Sequence, residues 1–203
     1  RAIYSSEFLL KNVIPHDKNT LYIFITQSGE TSDTIKSVEK VKSLSNLPTL
    51  CITNNEDSTI WKMCDYKVAC YAGIEQGIAA TKSFTSQMLC LILISLKLVE
   101  NVHGLEATSE YKKSLFSLPI IIEKALARRN DIKELAHYLS KENLIVITAD
   151  GISYSLAKEA CLKIKETSYK NISAAILGEF MHGHVAVFNN KGGVGKTTLL
   201  CNI

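Results

Sequence analysis

The run Leu21–Asp33, LYIFITQSGETSD, constrains the fold more than any other stretch of the chain. Leu21 to Ile25 is apolar enough for a buried strand, and it breaks into a hydroxyl-rich loop that opens a helix. Thr26, Gln27, Ser28, Gly29, Thr31 and Ser32 crowd the point where first-turn amides lack intrahelical acceptors. Free amides, a partial positive charge and several hydroxyl donors together suit an anion, and phosphate is the obvious guest. An ordinary capped strand-to-helix turn uses the same residue types, so the loop by itself leaves both readings open.

Downstream, strand and helix signals alternate. Ile35, Val38 and Val41 give helical spacing to Thr31–Ser45, and a second apolar strand follows at Thr49–Thr53. Asn54 and Asn55 make a turn, Ile60–Met63 a short helix, and Tyr66–Tyr71 a third strand. Thr81–Val99 is apolar on most sides, which predicts a helix buried between layers. Glu106–Arg129 predicts another long helix with a kink or break at Pro119, and Ile132–Ser140 a linker helix. At Asn143 the pattern restarts with a strand at Leu144–Thr148, a turn at Ala149–Gly151 and a helix at Ser153–Tyr169. The expected class is α/β, a parallel sheet with helices on both faces, in one nearly complete and one truncated copy. The corresponding segments are 1–100, a first unit lacking its opening strand; 101–142, a helical linker; 143–184, the start of a second unit; and 185–203, a separate tail.

Composition narrows the partners. A 46% hydrophobic content with mixed charges describes a globular chain, and a net charge of +3 with scattered basic residues argues against nucleic acid. The six cysteines show no metal-ligand spacing and mostly sit in apolar runs, as reduced thiols of a cytoplasmic protein do. Met88–Val99, interrupted by Ser95 and Lys97, falls short of the roughly 20 apolar residues of a membrane span. No signal peptide is apparent, and both ends look cut, since the chain opens on Arg1 and stops after Ile203.

A second constellation carries chemistry. Glu159, Lys163 and Glu166 stand at i, i+4 and i+7 on one helix face, with Leu156, Ala160 and Ile164 as the neighbouring stripe expected against the sheet. Leu177–Gly183, LGEFMHG, then places Glu179 and His182 near a glycine-flanked turn. A carboxylate, an amine and an imidazole in one pocket would suit proton transfer between adjacent carbons. Taken singly, helical Glu/Lys pairs are more often solvated salt bridges.

The segments ITQSGETSDT, GIEQGIAATKSFTSQ, EACLKIKETSY and LGEFMHG, in this order, resemble the sugar isomerase (SIS) module of the glutamine–fructose-6-phosphate aminotransferase family. The resemblance runs from about Tyr4 to His184 and implies the flavodoxin-like SIS fold. It implies that Thr26, Gln27, Ser28 and Thr31 bind phosphate, and that Ile78 and Ala80 lie on a sugar-contacting segment, Ala80 replacing the usual serine. By the same likeness Lys163 and Glu166 handle the sugar and its proton, and His182 serves ring opening from a partner subunit, so a homodimer is implied. The implied reaction is ketose–aldose interconversion of a hexose 6-phosphate, either fructose 6-phosphate or glucosamine 6-phosphate, through an enediol or enolamine. No metal or cofactor is called for, because a carboxylate held beside the carbon acid can move the proton. The family's glutaminase domain, the opening strand of its first unit and its carboxy-terminal tail have no counterpart in these residues.

After His184 the likeness stops. Val185–Ile203, VAVFNNKGGVGKTTLLCNI, instead resembles the deviant Walker A loop of partition and division-site ATPases. Gly192, Gly193 and Gly195 would let backbone amides wrap a phosphate, Lys191 and Lys196 would supply charge, and Thr197 could hold magnesium. About six residues follow Thr197, too few for the acidic motif and sheet that an ATPase needs.

Overall fold

The computed structural model describes residues 2–11, 17, 19–44 and 46–180. The chain divides into two compact units, Arg1–Ser117 and Leu118–Ile203.

In the first unit, α1 (Ser5–Leu9) precedes three parallel strands, β1 (Tyr22–Ile25), β2 (Thr49–Thr53) and β3 (Tyr66–Ala69), in the order β1-β2-β3. Parallel neighbours need crossovers. Here α2 (Ser32–Leu44) links β1 to β2, and α3 (Thr59–Met63) links β2 to β3. Phe24 lies opposite Cys51, and Ile52 opposite Val68. Phe8, Phe24, Val38, Val41, Cys51, Ile60 and Cys64 form one core cluster, with Val38 and Val41 one turn apart on the inner face of α2. Ile52 points away from Cys51 and is also fully buried; α4 (Lys82–His103) packs against β2. At the strand starts, Asp65 accepts the Thr49 amide at 2.9 Å and the Thr49 hydroxyl at 2.7 Å. The Thr49 hydroxyl and amide, with Lys42 at 3.1 Å, hold the Asp65 carboxyl down at about 2.

The helix expected at Thr81–Val99 forms and runs on to His103, but it is not buried between layers. Of its residues only Ser83 and Glu100 are buried, while Met88, Ile92, Leu93 and Leu98 are exposed. By length and composition α4 is the one helix among the described residues that could cross a membrane. Glu100 anchors its end: the carboxylate accepts the Thr108 hydroxyl at 2.5 Å and pairs with Lys112 and, at 3.8 Å, Lys97. The long helix expected at Glu106–Arg129 is interrupted. A 3₁₀ turn at Leu105–Thr108 leads into α5 (Ser109–Phe116), and α6 (Leu118–Ala127) begins anew at the Leu118-Pro119 pair. Proline is tolerated in a first helical turn, so the break falls just before it.

The second unit contains α6, α7 (Arg129–Leu139), β4 (Ile145–Ala149), α8 (Ile152–Ser168), β5 (Ile172–Ile176) and α9 (Leu177–Phe180). β4 and β5 pair in parallel from Ile145 opposite Ile172 to Ala149 opposite Ile176. The expected inner stripe of α8 is corrected by the burial. Ala157 and Cys161 are the buried positions, whereas Leu156 is 45% exposed. Ala160 and Ile164 of the expected stripe are half-buried beside them, so the packed face keeps those two and takes in Ala157 and Cys161 in place of Leu156. The sequence pattern does not mark β5, and Glu179, expected near a glycine-flanked turn, stands on the single helical turn Leu177–Phe180.

Candidate functional site

β1 delivers its chain end into the loop Thr26–Thr31, and α2 starts at Ser32. Thr26 is buried beneath this loop: its Oγ1 accepts the Gly29 amide at 3.3 Å and lies 3.1 Å from Thr31 Oγ1. Ser28 Oγ accepts the Glu30 amide at 3.2 Å, which leaves its hydroxyl hydrogen to donate elsewhere. Thr31 is exposed, and its carbonyl accepts the amides of Thr34 and Ile35, each at 3.0 Å. Ser32 and Asp33 are exposed, and their first-turn amides have no intrahelical acceptor. Ser28 and Gln27 are half-buried, and the Gln27 side chain has no hydrogen-bond partner among the described residues. The bend is open to solvent and lined by donors.

What holds it is less visible in the sequence. Gly29 sits at φ +70°, and a Cβ there would lie 2.1 Å from Ser58 Oγ, so only glycine fits. Its carbonyl accepts the Ile60 amide at 3.2 Å. Glu30 accepts the Thr59 amide at 2.7 Å and the Thr59 hydroxyl at 2.8 Å. Those two donors, the backbone one first, hold the Glu30 carboxyl below its ordinary range.

The second segment expected at the site, with Ile78 and Ala80, follows the end of β3 in the same sheet. Ile78 is 95% exposed and Ala80 half-buried. In open parallel sheets ligands bind beyond the carboxyl ends of the strands, where the Thr26–Thr31 loop and the stretch after β3 begin. Asn54, read from sequence as no more than a turn residue, ties them together. Its amide donates to the Gln27 carbonyl at 3.1 Å, its Nδ2 to the Gly73 carbonyl at 2.7 Å, and its Oδ1 accepts the Ala72 amide at 2.9 Å. Glu75 closes the loop onto the start of α4 by accepting the Ser83 hydroxyl at 2.7 Å, the Ser83 amide at 3.2 Å and the Thr81 amide at 3.3 Å. The Ser83 hydroxyl leads in holding the Glu75 carboxyl below its ordinary range. An Asn after one strand and a Glu seven residues before a helix are signals that sequence spacing alone does not separate from ordinary loop polarity.

In the second unit, α8 gathers Glu159, Lys163 and Glu166 on one half-buried face. Lys163 Nζ is 2.9 Å from Glu166 Oε2 and 3.4 Å from Glu159 Oε1. Burial pulls the Lys163 ammonium down, but the Glu166 hydrogen bond and both carboxylate charges outweigh it and hold the group above its ordinary value. Glu179 on α9 is exposed. His182 and the tail residues Lys191, Gly192, Gly193, Gly195, Lys196 and Thr197 lie outside the described residues. Among the described residues no group of three or more His, Cys, Asp or Glu could hold a metal ion.

Comparison with known proteins bears on this arrangement. Residues 3–96 match the SIS domain. The chain is 36% identical over 186 residues to glutamine–fructose-6-phosphate aminotransferase (isomerizing) of Bordetella pertussis, covering 90% of this chain and 30% of that protein. The Haemophilus influenzae enzyme of the same name is 34% identical over 187 residues, with 91% and 30% covered. The C-terminal domain of glucosamine-fructose-6-phosphate aminotransferase from Francisella tularensis superposes with a TM-score of 0.85 at 31% identity, covering 90% of this chain and 52% of that one. Glucosamine-6-phosphate deaminase from Thermotoga maritima, 21% identical with a TM-score of 0.69 over 90% of this chain and 54% of its own, shares the fold. The chain thus spans about 30% of the length of the curated relatives it matches.

Proposed function

We propose that this chain, which carries an SIS domain at residues 3–96 and is homologous to the isomerase domain of glutamine–fructose-6-phosphate aminotransferase, binds a hexose 6-phosphate and interconverts its ketose and aldose forms. The observation that carries the reading is the open hydroxyl cluster at the end of β1, where Ser28, Thr31 and the first amides of α2 face solvent together. A dianionic monoester there gains charge-assisted hydrogen bonds and the favourable end of a 13-residue helix. In this reading Thr26 supports the loop from beneath, while Gln27, Ser28 and Thr31 take the phosphate oxygens. Ile78 and Ala80 contact the sugar.

The proton chemistry falls to α8. Glu166 carries the proton between the first and second carbons, taking it from the hydroxyl-bearing carbon beside the carbonyl and returning it to the former carbonyl carbon of the enediol. Lys163, charged and hydrogen-bonded beside it, orders the hydroxyls and stabilises negative charge developing on the enediol oxygens. His182 is assigned to ring opening. Fructose 6-phosphate and glucosamine 6-phosphate are the candidate sugars. The chain is read as a cytoplasmic homodimer without nucleic-acid or membrane partners, since most of α4 lies within the SIS-matching residues.

A second reading, a sugar-phosphate-binding module without catalysis, is favoured by the Lys163 network itself. Its ammonium already has two carboxylate partners on its own helix. Calorimetry of the chain with fructose 6-phosphate, glucosamine 6-phosphate and ATP separates the readings. Hexose phosphate binding is expected, and combining Ser28→Ala with Thr31→Ala should weaken it about 100-fold or more, as losing two hydrogen bonds to a charged group does. Binding of ATP without either sugar phosphate would overturn the assignment and move attention to Lys191–Thr197.

A further inference from the structure

We propose that Glu30 is a positioning residue of the anion-binding loop: its carboxylate, clamped by Thr59, holds Ser28 and Thr31 in the arrangement that grips a phosphate monoester. The inference rests on the reading of that loop as a phosphate site. Glu30 stands between the two hydroxyl residues, where a carboxylate would by charge alone repel a dianion. Its side chain is turned onto the start of α3, with both oxygens engaged: Oε1 by the Thr59 amide at 2.7 Å and Oε2 by the Thr59 hydroxyl at 2.8 Å. Its own amide is held by Ser28 Oγ at 3.2 Å, so the carboxylate clamp and the ligand-facing hydroxyl belong to one short chain of hydrogen bonds. On the other side of the same peptide, the Gly29 carbonyl takes the Ile60 amide at 3.2 Å, and Gly29 is pressed against Ser58. The loop is thus pinned to α3 at two successive residues, and Glu30 supplies the pin that a side chain can remove. Pre-organising donors before the ligand arrives lowers the ordering cost of binding.

Charge and geometry predict opposite signs, which makes the proposal testable. If Glu30 acts through charge, Glu30→Ala tightens inorganic phosphate; if it positions the loop, the same change weakens it. Calorimetry of the full chain with inorganic phosphate and with fructose 6-phosphate is expected to show about tenfold weaker binding of both for Glu30→Ala. Thr59→Val keeps the Glu30 charge and removes only the hydroxyl anchor. It should weaken both ligands in the same direction by a smaller factor, and Thr59→Ser should restore them. Thermal unfolding of each variant identifies the folded protein, and should Glu30→Ala fail to fold, the Thr59 pair decides. Unchanged or tighter phosphate binding in Glu30→Ala, or a lowered melting temperature with wild-type affinity, overturns the role of Glu30. Wild-type protein that binds neither phosphate nor fructose 6-phosphate overturns the phosphate reading itself, and Glu30's role with it.

Discussion

Gly29 shows how much one residue can decide. Its positive φ and the 2.1 Å that a Cβ would leave to Ser58 Oγ exclude every other side chain without movement of the backbone. Gly29→Ala is expected to cost about 1–3 kcal/mol of stability, read by denaturant unfolding, and to weaken hexose phosphate binding in the same protein. Asp65 makes a different kind of contribution. Its carboxyl is lowered from 3.8 to about 2 by the Thr49 donors and Lys42, so the folded state binds its proton less readily than the unfolded chain. The stability it adds is present above roughly pH 4 and is lost as the pH falls toward about 2. Melting curves across that window should converge for the wild type and Asp65→Asn, and should lie apart at neutral pH. The Gly29 constraint could be suspected from the SGE sequence; the Asp65 link to Thr49, 16 residues away, could not.

At the scale of elements, helix α8 tests how well an apolar stripe predicts a packed face. Leu156, Ala160 and Ile164 make the more hydrophobic row, yet Ala157 and Cys161 are the residues pressed on the sheet. Ala157→Leu should therefore cost about 1–3 kcal/mol through overpacking. Leu156→Ala, at an exposed position, should stay within about 0.5 kcal/mol. Equal effects in unfolding experiments would restore the stripe read from sequence. Strand β5, Ile172–Ile176, carries Ala174 and Ala175 at its centre, and alanine has little strand preference, so its sequence does not mark it. Only its pairing with β4 makes it a strand.

For the whole molecule, the proposed proton transfer rests on α8, where Glu166 is hydrogen-bonded to Lys163. Glu166→Gln is expected to abolish solvent exchange of the proton at carbon 2 of a bound hexose phosphate while changing its affinity by less than about threefold. Deuterium incorporation followed by NMR checks this, and unchanged incorporation would remove Glu166 from the role and favour the binding-module reading. The four separated motifs resemble the SIS module, and residues 3–96 match the SIS domain. The supports of the site, Asn54, Glu75 and the Glu30–Thr59 clamp, were not legible in the same way. They are polar residues in polar loops, and nothing in their spacing says which backbone amide each will meet.

The sequence alone determined the alternation of strands and helices, hence the parallel α/β class, and the placing of a donor-rich loop at a helix start. These follow from local periodicity and from the fixed geometry of helix ends. Tertiary structure decided which face of α8 is buried, that α4 is left largely exposed, and which distant residues clamp the loop. Those outcomes depend on pairings between residues far apart in the chain, such as Glu30 with Thr59, 29 positions away, which no local pattern encodes.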